Sequence, residues 1–339
     1  MRERPGPGAA KTPTMVDVAT RAGVSRALVS TVFRGVPGAG PQTRQRVLQA
    51  AADLGYRMDN RARMLRRSRT KLLGVLFQVQ DAFHSDLVEA LYPAAAAAGF
   101  DLTLSATTPD RDEKHAAEAL LNDRCEALIL IGPQAPAAWL ATLSSRSPTI
   151  VVTRRIRQAG LDLVRTADYE VVSTALNHLL ALGHQDVAHV DGARIAGAAD
   201  RRRSYRVLMR RHGLPASTRV ITGGFTEAAG KAAAGELLSS GQLPTAIIAF
   251  NDRCAVGLMF EFRRAGLAVP GDISIVGYDD ASMAALPFID LTTVGQDTQA
   301  IARRAVDCAV ARLDRNGPAG NDILISPYLA QRSTTSRCP

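Results

Sequence analysis

Residues 14–35 read TMVDVATRAGVSRALVSTVFRG, and this stretch decides how the N-terminal part of the chain folds. Thr14 and Asp17 stand three apart, the spacing of a capping box in which hydroxyl and carboxylate satisfy each other's backbone N–H groups. Val16, Val18, Ala19 and Ala22 then supply an apolar face. Gly23 stops the helix, because the left-handed conformation that ends a helix costs glycine least. Ser25 is a second N-cap, for a helix from Arg26 to about Arg34 with Leu28, Val29 and Val32 turned inward. After the Gly/Pro loop 35–40, Pro41 opens a third helix that runs to Asp53, with Val47, Leu48 and Ala51 on its core face. Three short helices with a tight glycine turn between the first two form a helix-turn-helix.

The charge of the chain is concentrated on this segment. Of the 339 residues, 1–71 carry 15 Lys/Arg against four Asp/Glu, a net +11, while the remainder carries −2. A polyanion is therefore the expected partner of the first fifth and not of the rest. In such a unit the second helix enters the DNA major groove. Arg26, Ala27 and Thr31 are placed to read bases, Arg26 by forking onto guanine and the methyls of Ala27 and Thr31 by touching thymine. Ser25, Ser30, Arg34 and Thr43 suit phosphate, which positions without specifying. Any one of these residues alone is as well explained by a solvated surface; the caps, the turn and the charge together favour double-stranded DNA.

From Lys71 the pattern changes to short apolar runs alternating with amphipathic helices. Leu72–Phe77, Leu102–Ala106, Ala127–Ile131 and Thr149–Val152 form one series of strands, with helices near 85–98, 112–124 and 136–145. Val187–Val190, Val220–Gly223, Ala246–Phe250 and Ile273–Val276 form a second. This alternation predicts two parallel-sheet α/β lobes of Rossmann-like build. Ligands of such sheets sit beyond the carboxyl ends of the strands. Asp81 to His84, Arg154, Asn251-Asp252, Asp279-Asp280 and Gln296 all follow strands there, although each can also simply cap the next helix.

Other classes find little support. No apolar run approaches the roughly 20 residues of a membrane span, and the first 13 residues read as a disordered basic tail without the apolar core of an export signal, so a cytoplasmic protein is expected. Cys125, Cys254, Cys308 and Cys338 are scattered, which argues against a zinc site or a disulfide framework, and His178 and His184 read as structural residues at a helix end. No G-x-S-x-G, P-loop, H-E-x-x-H or G-x-G-x-x-G is present, so neither an enzyme nor a cofactor is expected. A periplasmic binding protein and a nucleoid-type DNA binder without an effector are the remaining alternatives; the first leaves the basic helical segment unexplained.

The run VDVATRAGVSRALVSTVFRG resembles the opening of LacI/GalR-type bacterial regulators, V-x-x-[AV]-x-x-A-G-V-S-x-x-T-V-S-R, and the similarity continues through Thr43-Arg44, Leu54-Gly55-Tyr56 and Asn60-Arg61-Ala62-Arg63-Met64-Leu65. Further matches are the H-L-x-x-L-G-H run at His178–His184, Asp200–Tyr205, Ala249–Asp252, Ile275–Asp280 and Leu291–Gln296. The resemblance spans most of 14–335. It implies a helix-turn-helix domain at 14–58, a hinge at 59–70, and an effector and dimerisation domain at 71–335. Lobe 1 of that domain takes about 71–166 and 298–325, and lobe 2 about 167–297 and 326–335. It further implies a homodimer on a palindromic operator, a hinge helix that folds on DNA and places Asn60, Arg63 and Leu65 at the minor groove, and a small-molecule effector, a sugar or sugar-like metabolite. Phe83, Arg201, Phe225, Asn251, Asp279 and Gln296 match the family's effector-holding positions. The chain departs from the pattern at Thr31, where arginine is usual, at Met58-Asp59, where proline is usual, at Thr153, often acidic, and at 165–171, which lacks D-N-x-x-G. Arg154 with Arg201 in one pocket predicts an anionic or phosphorylated effector. The chain ends without a heptad helix, which favours a dimer over a zipper-held tetramer.

Overall fold

The computed structural model describes residues 13–33, 35, 37–56, 69–157, 160–195, 197–314 and 320–338. The chain divides into two compact units, 1–69 and 70–339.

In the first unit α1 (Met15–Ala22) begins at the expected capping box: Asp17 N donates to Thr14 Oγ1 at 3.4 Å, and Thr14 N donates to the Asp17 carboxylate at 2.7 Å. Gly23 ends it at φ 64°. Helix α2 (Arg26–Phe33) is capped by Ser25, whose Oγ accepts from Leu28 N at 3.2 Å. Helix α3 (Pro41–Asp53) has the proline in its first turn. Val18, Ala22, Val29, Val32, Val47, Ala50 and Ala51 build a small core. Two residues expected in it are outside: Val16 is 53% and Leu48 48% exposed. The helix period explains both. The inward stripe on α3 runs 47, 50, 51, 54, and Leu48 lies about 100° round from it; on α1 the stripe is 15, 18, 19, 22, and Val16 is likewise one step off. Arg44 Nη1 donates to Val32 O at 3.2 Å and so satisfies a carbonyl at the end of α2.

The second unit holds two six-stranded sheets. Lobe 1 is built from β1 (Leu72–Gln78), α4 (Ala82–Ala97), β2 (Asp101–Thr107), α5 (Glu113–Asn122), β3 (Ala127–Ile131), α6 (Ala137–Arg146), β4 (Thr149–Val152) and β5 (Asp162–Thr166). Lobe 2 follows with α7 (Asp168–Ala181), β6 (Val187–Val190), α8 (Ala198–Arg211), β7 (Arg219–Ile221), α9 (Glu227–Ser240), β8 (Ala246–Ile248), α10 (Asp252–Arg264), β9 (Ser274–Asp279) and β10 (Thr293–Gly295). Then α11 (Thr298–Leu313) and β11 (Asp322–Ile325) return to lobe 1, and β12 (Tyr328–Ala330) to lobe 2. The strand orders are β11-β5-β4-β3-β1-β2 and β12-β10-β9-β8-β6-β7, parallel throughout except for β12. Helices α4 and α11 cover one face of the first sheet, and α5 and α6 the other. In lobe 2, α9 and α10 cover one face and α7 and α8 the other. Helices α9 and α10 meet at Gly230 and Gly257, where a Cβ would stand 2.0 Å from a backbone carbonyl oxygen of the other helix.

Strands β5 and β11 escaped the apolar pattern because charges lie within them. Asp162 is fully buried, where its Oδ2 accepts from Arg312 at 2.7 Å and its Oδ1 from Asn321 N at 3.0 Å, and Arg165 forks onto Asp322 at 2.7–2.8 Å. Buried charges are tolerated when paired in this way. The histidines read as structural do hold structure: His178 meets Thr335 at 3.0 Å, and His184 meets Thr245 and Ser336 O, each at 3.0 Å. Among the described residues no helix is long and apolar enough to cross a membrane, and no group of side chains is arranged to hold a metal ion.

Candidate DNA interface and effector cavity

On the first unit Ser25, Arg26 and Ala27 are exposed at the start of α2, with Ser30 and Thr31 half-buried one turn on and Thr43 half-buried in the first turn of α3. Ser25 Oγ already caps its own helix, and Thr31 Oγ1 donates to Ala27 O at 3.1 Å. Arg34, Asn60, Arg63 and Leu65 lie outside the described residues.

In the second unit a cavity of about 310 Å³ opens at the carboxyl ends of strands from both lobes. Phe83, Arg201, Phe225, Asn251, Asp279 and Gln296 line it together. Arg201, on α8, is clamped between the rings of Tyr278 and Phe250, its guanidinium carbon 3.9 and 4.6 Å from their centroids. Its Nε donates to Asp168 Oδ1 at 3.1 Å and its Nη1 to Phe250 O at 2.7 Å. Asn251 does two things at once. Its Oδ1 caps α10 by accepting from Cys254 N at 2.9 Å, and its Nδ2 donates to Phe225 O at 3.1 Å. Gln296, 3% exposed, links the lobes: Thr166 Oγ1 donates to its Oε1 at 3.0 Å, and its Nε2 donates to Asp279 Oδ1 at 2.8 Å.

Asp279 sits at φ 117° and Asp280 at φ 52°, a region that residues with a Cβ rarely enter. Asp280 is held there by Tyr328 Oη at 2.8 Å and Arg332 Nη2 at 2.7 Å. Burial, then the nearby Asp252 and Asp81 charges, push the Asp279 carboxyl well above the usual range, and burial pushes Asp252 up to about 7. On the lobe 1 side, burial lowers the His84 pKa, so the ring is neutral. Its Nδ1 accepts from Gln78 N at 3.1 Å, which leaves the ring proton on Nε2.

Arg154 does not share the cavity. Thr153 at φ 65° turns its own side chain into the lining, and the next residue points away, where Arg154 Nη1 donates to Pro133 O at 2.6 Å and Ala135 O at 2.7 Å. The expectation of an anionic ligand loses its basis with that arginine. What remains is one guanidinium already facing Asp168, set against Asp81 and Asp279. Sequence reasoning also passed over Phe250 and Tyr278, the two rings that clamp Arg201. Phe250 directly precedes Asn251 after an apolar strand, so its position was a usable signal; the stacking itself is tertiary.

Besides the Thr166–Gln296 bond, further contacts among the described residues join the lobes beside the cavity. Arg253, forked onto Glu227 at 2.6–2.8 Å, donates to Gln80 O at 2.8 Å, Ser282 N donates to Asp86 Oδ2 at 2.8 Å, and Arg155 stands 3.9 Å from Asp200.

Residues 14–59 match the family model of bacterial regulatory proteins, lacI family, and residues 176–335 match a periplasmic binding protein-like domain. The HTH-type transcriptional regulator GalR of Salmonella typhimurium is 32% identical over 329 residues, covering 95% of this chain and 96% of the relative. The chain belongs to the lacI family. It is thus a DNA-binding transcriptional regulator, as its relatives are. Catabolite control protein A of Priestia megaterium is 29% identical over 300 residues, covering 86% of this chain and 90% of the relative. A LacI transcriptional regulator from a Rhodococcus species superimposes with a TM-score of 0.77 at 44% identity over 79% of this chain and 99% of its own. The lac repressor dimer bound to operator and an anti-inducer superimposes with a TM-score of 0.81 at 26% identity, over 96% of this chain and all of that one. The fold expected from the sequence, helix-turn-helix helices followed by two parallel-sheet lobes, is the lacI-family fold.

Proposed function

We propose that this lacI-family regulator is a cytoplasmic homodimer that binds a palindromic operator and is controlled by a neutral sugar or sugar-like metabolite in the cavity between its lobes. The observation that carries the effector reading is the lining itself. Phenyl rings at Phe83, Phe225 and Phe250 offer surface for an apolar ring face, while Arg201, Asn251, Asp279 and the His84 Nε2–H offer donors and acceptors for hydroxyls. The positive charge confined to 1–71 supports the DNA reading. Within it 14–58 forms the reading head and 59–70 the hinge, with 1–13 a basic tail and 71–335 the sensing and dimerising part.

Arg26 and the methyls of Ala27 and Thr31 read bases; Ser25, Ser30, Arg34 and Thr43 hold phosphates; Asn60, Arg63 and Leu65 act at the minor groove, where Leu65 wedges a base step. A ligand changes DNA affinity only by its differential affinity for the two lobe arrangements. Catalysis has no part in this reading.

The test is fluorescence anisotropy of the full chain on palindromes from its own gene's neighbourhood and on random DNA, each with and without a panel of hexoses. The expected result is operator preference that one hexose shifts, with Arg26→Ala relaxing sequence preference and Leu65→Ala weakening operator more than random DNA. Equal losses on both DNAs, or indifference to every hexose, would defeat the corresponding half of the proposal.

A further inference from the structure

Helix α8 (Ala198–Arg211) carries six arginines against one aspartate, a net +5 inside a stretch, 72–339, whose total is −2. Its inner face is ordinary core: Tyr205, Leu208 and Met209 are buried in one cluster with Val172, Leu176 and Leu179 of α7. Two of the arginines are also accounted for, since Arg201 lines the cavity and Arg202 pairs with the buried Asp191. The other four are exposed. At about 100° per residue Arg203, Arg206 and Arg210 fall within about 60° of one another, with Val207 on their flank. Arg203 meets Asp200 at 3.4 Å, and among the described residues no carboxylate pairs with Arg206 or Arg210. Arg211 Nη1 donates to the hydroxyl of Tyr169, on α7, at 2.5 Å.

Solvation and the helix dipole leave part of this stripe unexplained. A cation in the last turn is favoured by the dipole, which covers Arg210 and Arg211. Arg203 and Arg206 stand earlier. Spacings of three and four residues set 203 against 206 and 206 against 210, and like charges so placed weaken a helix. A face that only meets water is better served by mixed signs. Helix α5 has them in Glu113, Lys114 and Glu118, and α10 in the pair of Glu261 with Arg264.

We propose that the outer face of α8 is a docking surface for an acidic helix of another protein. Carboxylates three and four residues apart on that helix face Arg203, Arg206 and Arg210, while an apolar side chain rests on Val207. Charge complementarity selects an anion, which steers encounter and fixes register. The residues around the stripe select protein. Val207 is 38% and Tyr169 40% exposed, and arginine and tyrosine about an apolar contact is the composition of protein interfaces. Asp200, at one end of the stripe, opposes a run of phosphates. A second copy of this chain in a two-fold contact would set the stripe against itself.

The test is fluorescence anisotropy of a labelled helical peptide of about 18 residues, with glutamates three and four apart around one leucine. It is titrated with the full chain, alone and with unlabelled random duplex in excess, because residues 1–71 are themselves basic. Arg206→Glu with Arg210→Glu is expected to weaken the peptide roughly tenfold or more. Arg303→Glu with Arg304→Glu, the same change of charge on exposed positions of α11, should leave it within about twofold. Arg206→Gln with Arg210→Gln gives the milder check, at about threefold, should the reversal disturb the fold. Binding that falls equally in both charge-reversed chains is general attraction and overturns the surface. A peptide that does not bind below about 1 mM, or that the duplex displaces completely, also overturns it. So does a random-duplex affinity that falls with Arg206 and Arg210, since the stripe is then a nucleic-acid contact.

Discussion

The two lobes build their shares of the cavity between them differently. Lobe 2 contributes charge and amide groups that are fixed before any ligand arrives: Arg201 by two rings, a carboxylate and a carbonyl, Asn251 by its own helix, Asp279 by Gln296 and by a backbone held at positive φ. Lobe 1 contributes Phe83, the neutral His84 and the bare backbone of Gly132, with Gln78, Asp81, Gln134 and Thr153 beside them. One side is preorganised for hydrogen bonding, which limits the entropy that binding must overcome. The other is shaped surface. On the proposed reading, the difference assigns most of the fixed hydrogen-bonding groups to lobe 2 and the greater share of unbraced surface to lobe 1.

The strongest way to break that contrast is Arg201→Ala. It leaves the Asp168 carboxylate and the Phe250 carbonyl without their donor and opens a gap between two rings, so a loss of about 3–5 kcal/mol is expected in urea unfolding, together with loss of hexose binding in calorimetry. A loss below about 1 kcal/mol would show that the lobe 2 wall is not internally braced.

His189, on β6 beneath the same wall, gives the next effect. It is buried, its Nδ1 lies 3.0 Å from Ile248 O, its Nε2 lacks a partner, and burial lowers its pKa from 6.5 to about 4. Because the folded-state value is depressed, the unfolded chain binds the extra proton between these limits. Stability is therefore whole above pH 6.5 and falls as pH drops toward 4, by about 3 kcal/mol across the window. Urea midpoints from pH 7.5 to 4.5 should show this slope, and His189→Phe should flatten it; an unchanged slope places the titration elsewhere.

Arg253→Met removes the donor to Gln80 O while keeping apolar length beside Phe225, whose ring centroid lies 5.9 Å from the guanidinium. The expected cost is about 1 kcal/mol of unfolding free energy, with a weaker hexose affinity because a contact between the lobes is gone; unchanged affinity would mean that this contact does not help hold the lobes about the ligand. Phe83→Leu should cost a comparable amount of stability, at or below about 1.5 kcal/mol, and still weaken the hexose in calorimetry. A large fall in stability without a change in binding would reverse the assignment of lobe 1 as surface.

The headpiece was legible because its signals are local. A cap at Thr14, a left-handed glycine at 23 and a proline at 41 each act within one turn, and all three helices appear where these residues put them. Its errors were of phase, at Val16 and Leu48, where a hydrophobic residue sits one helical step off the buried stripe. Of the sheets, the apolar strands could be read, while β5 and β11 could not, since the partners that make Asp162 and Arg165 tolerable come from 312–322. The cavity followed from looking just past strand ends. Arg154 shows the limit of that rule: adjacent residues after a strand point oppositely, and only the backbone twist at Thr153 decided which one faces the cavity.

The return of α11 to lobe 1 also sets an order of events during synthesis. Ile301, Ala302, Ala305 and Val306 fill the core against α4, and the buried Asp162 finds its guanidinium 150 residues later, at Arg312. At ribosomal speeds that separation is roughly ten to thirty seconds. Throughout this interval the lobe synthesised first lacks a helix of its core and carries an unpaired acid, and by its end every parallel strand of the second lobe has been synthesised. The first lobe made is thus the last to be finished, and a chain released before residue 312 leaves it incomplete however much of the second lobe has formed.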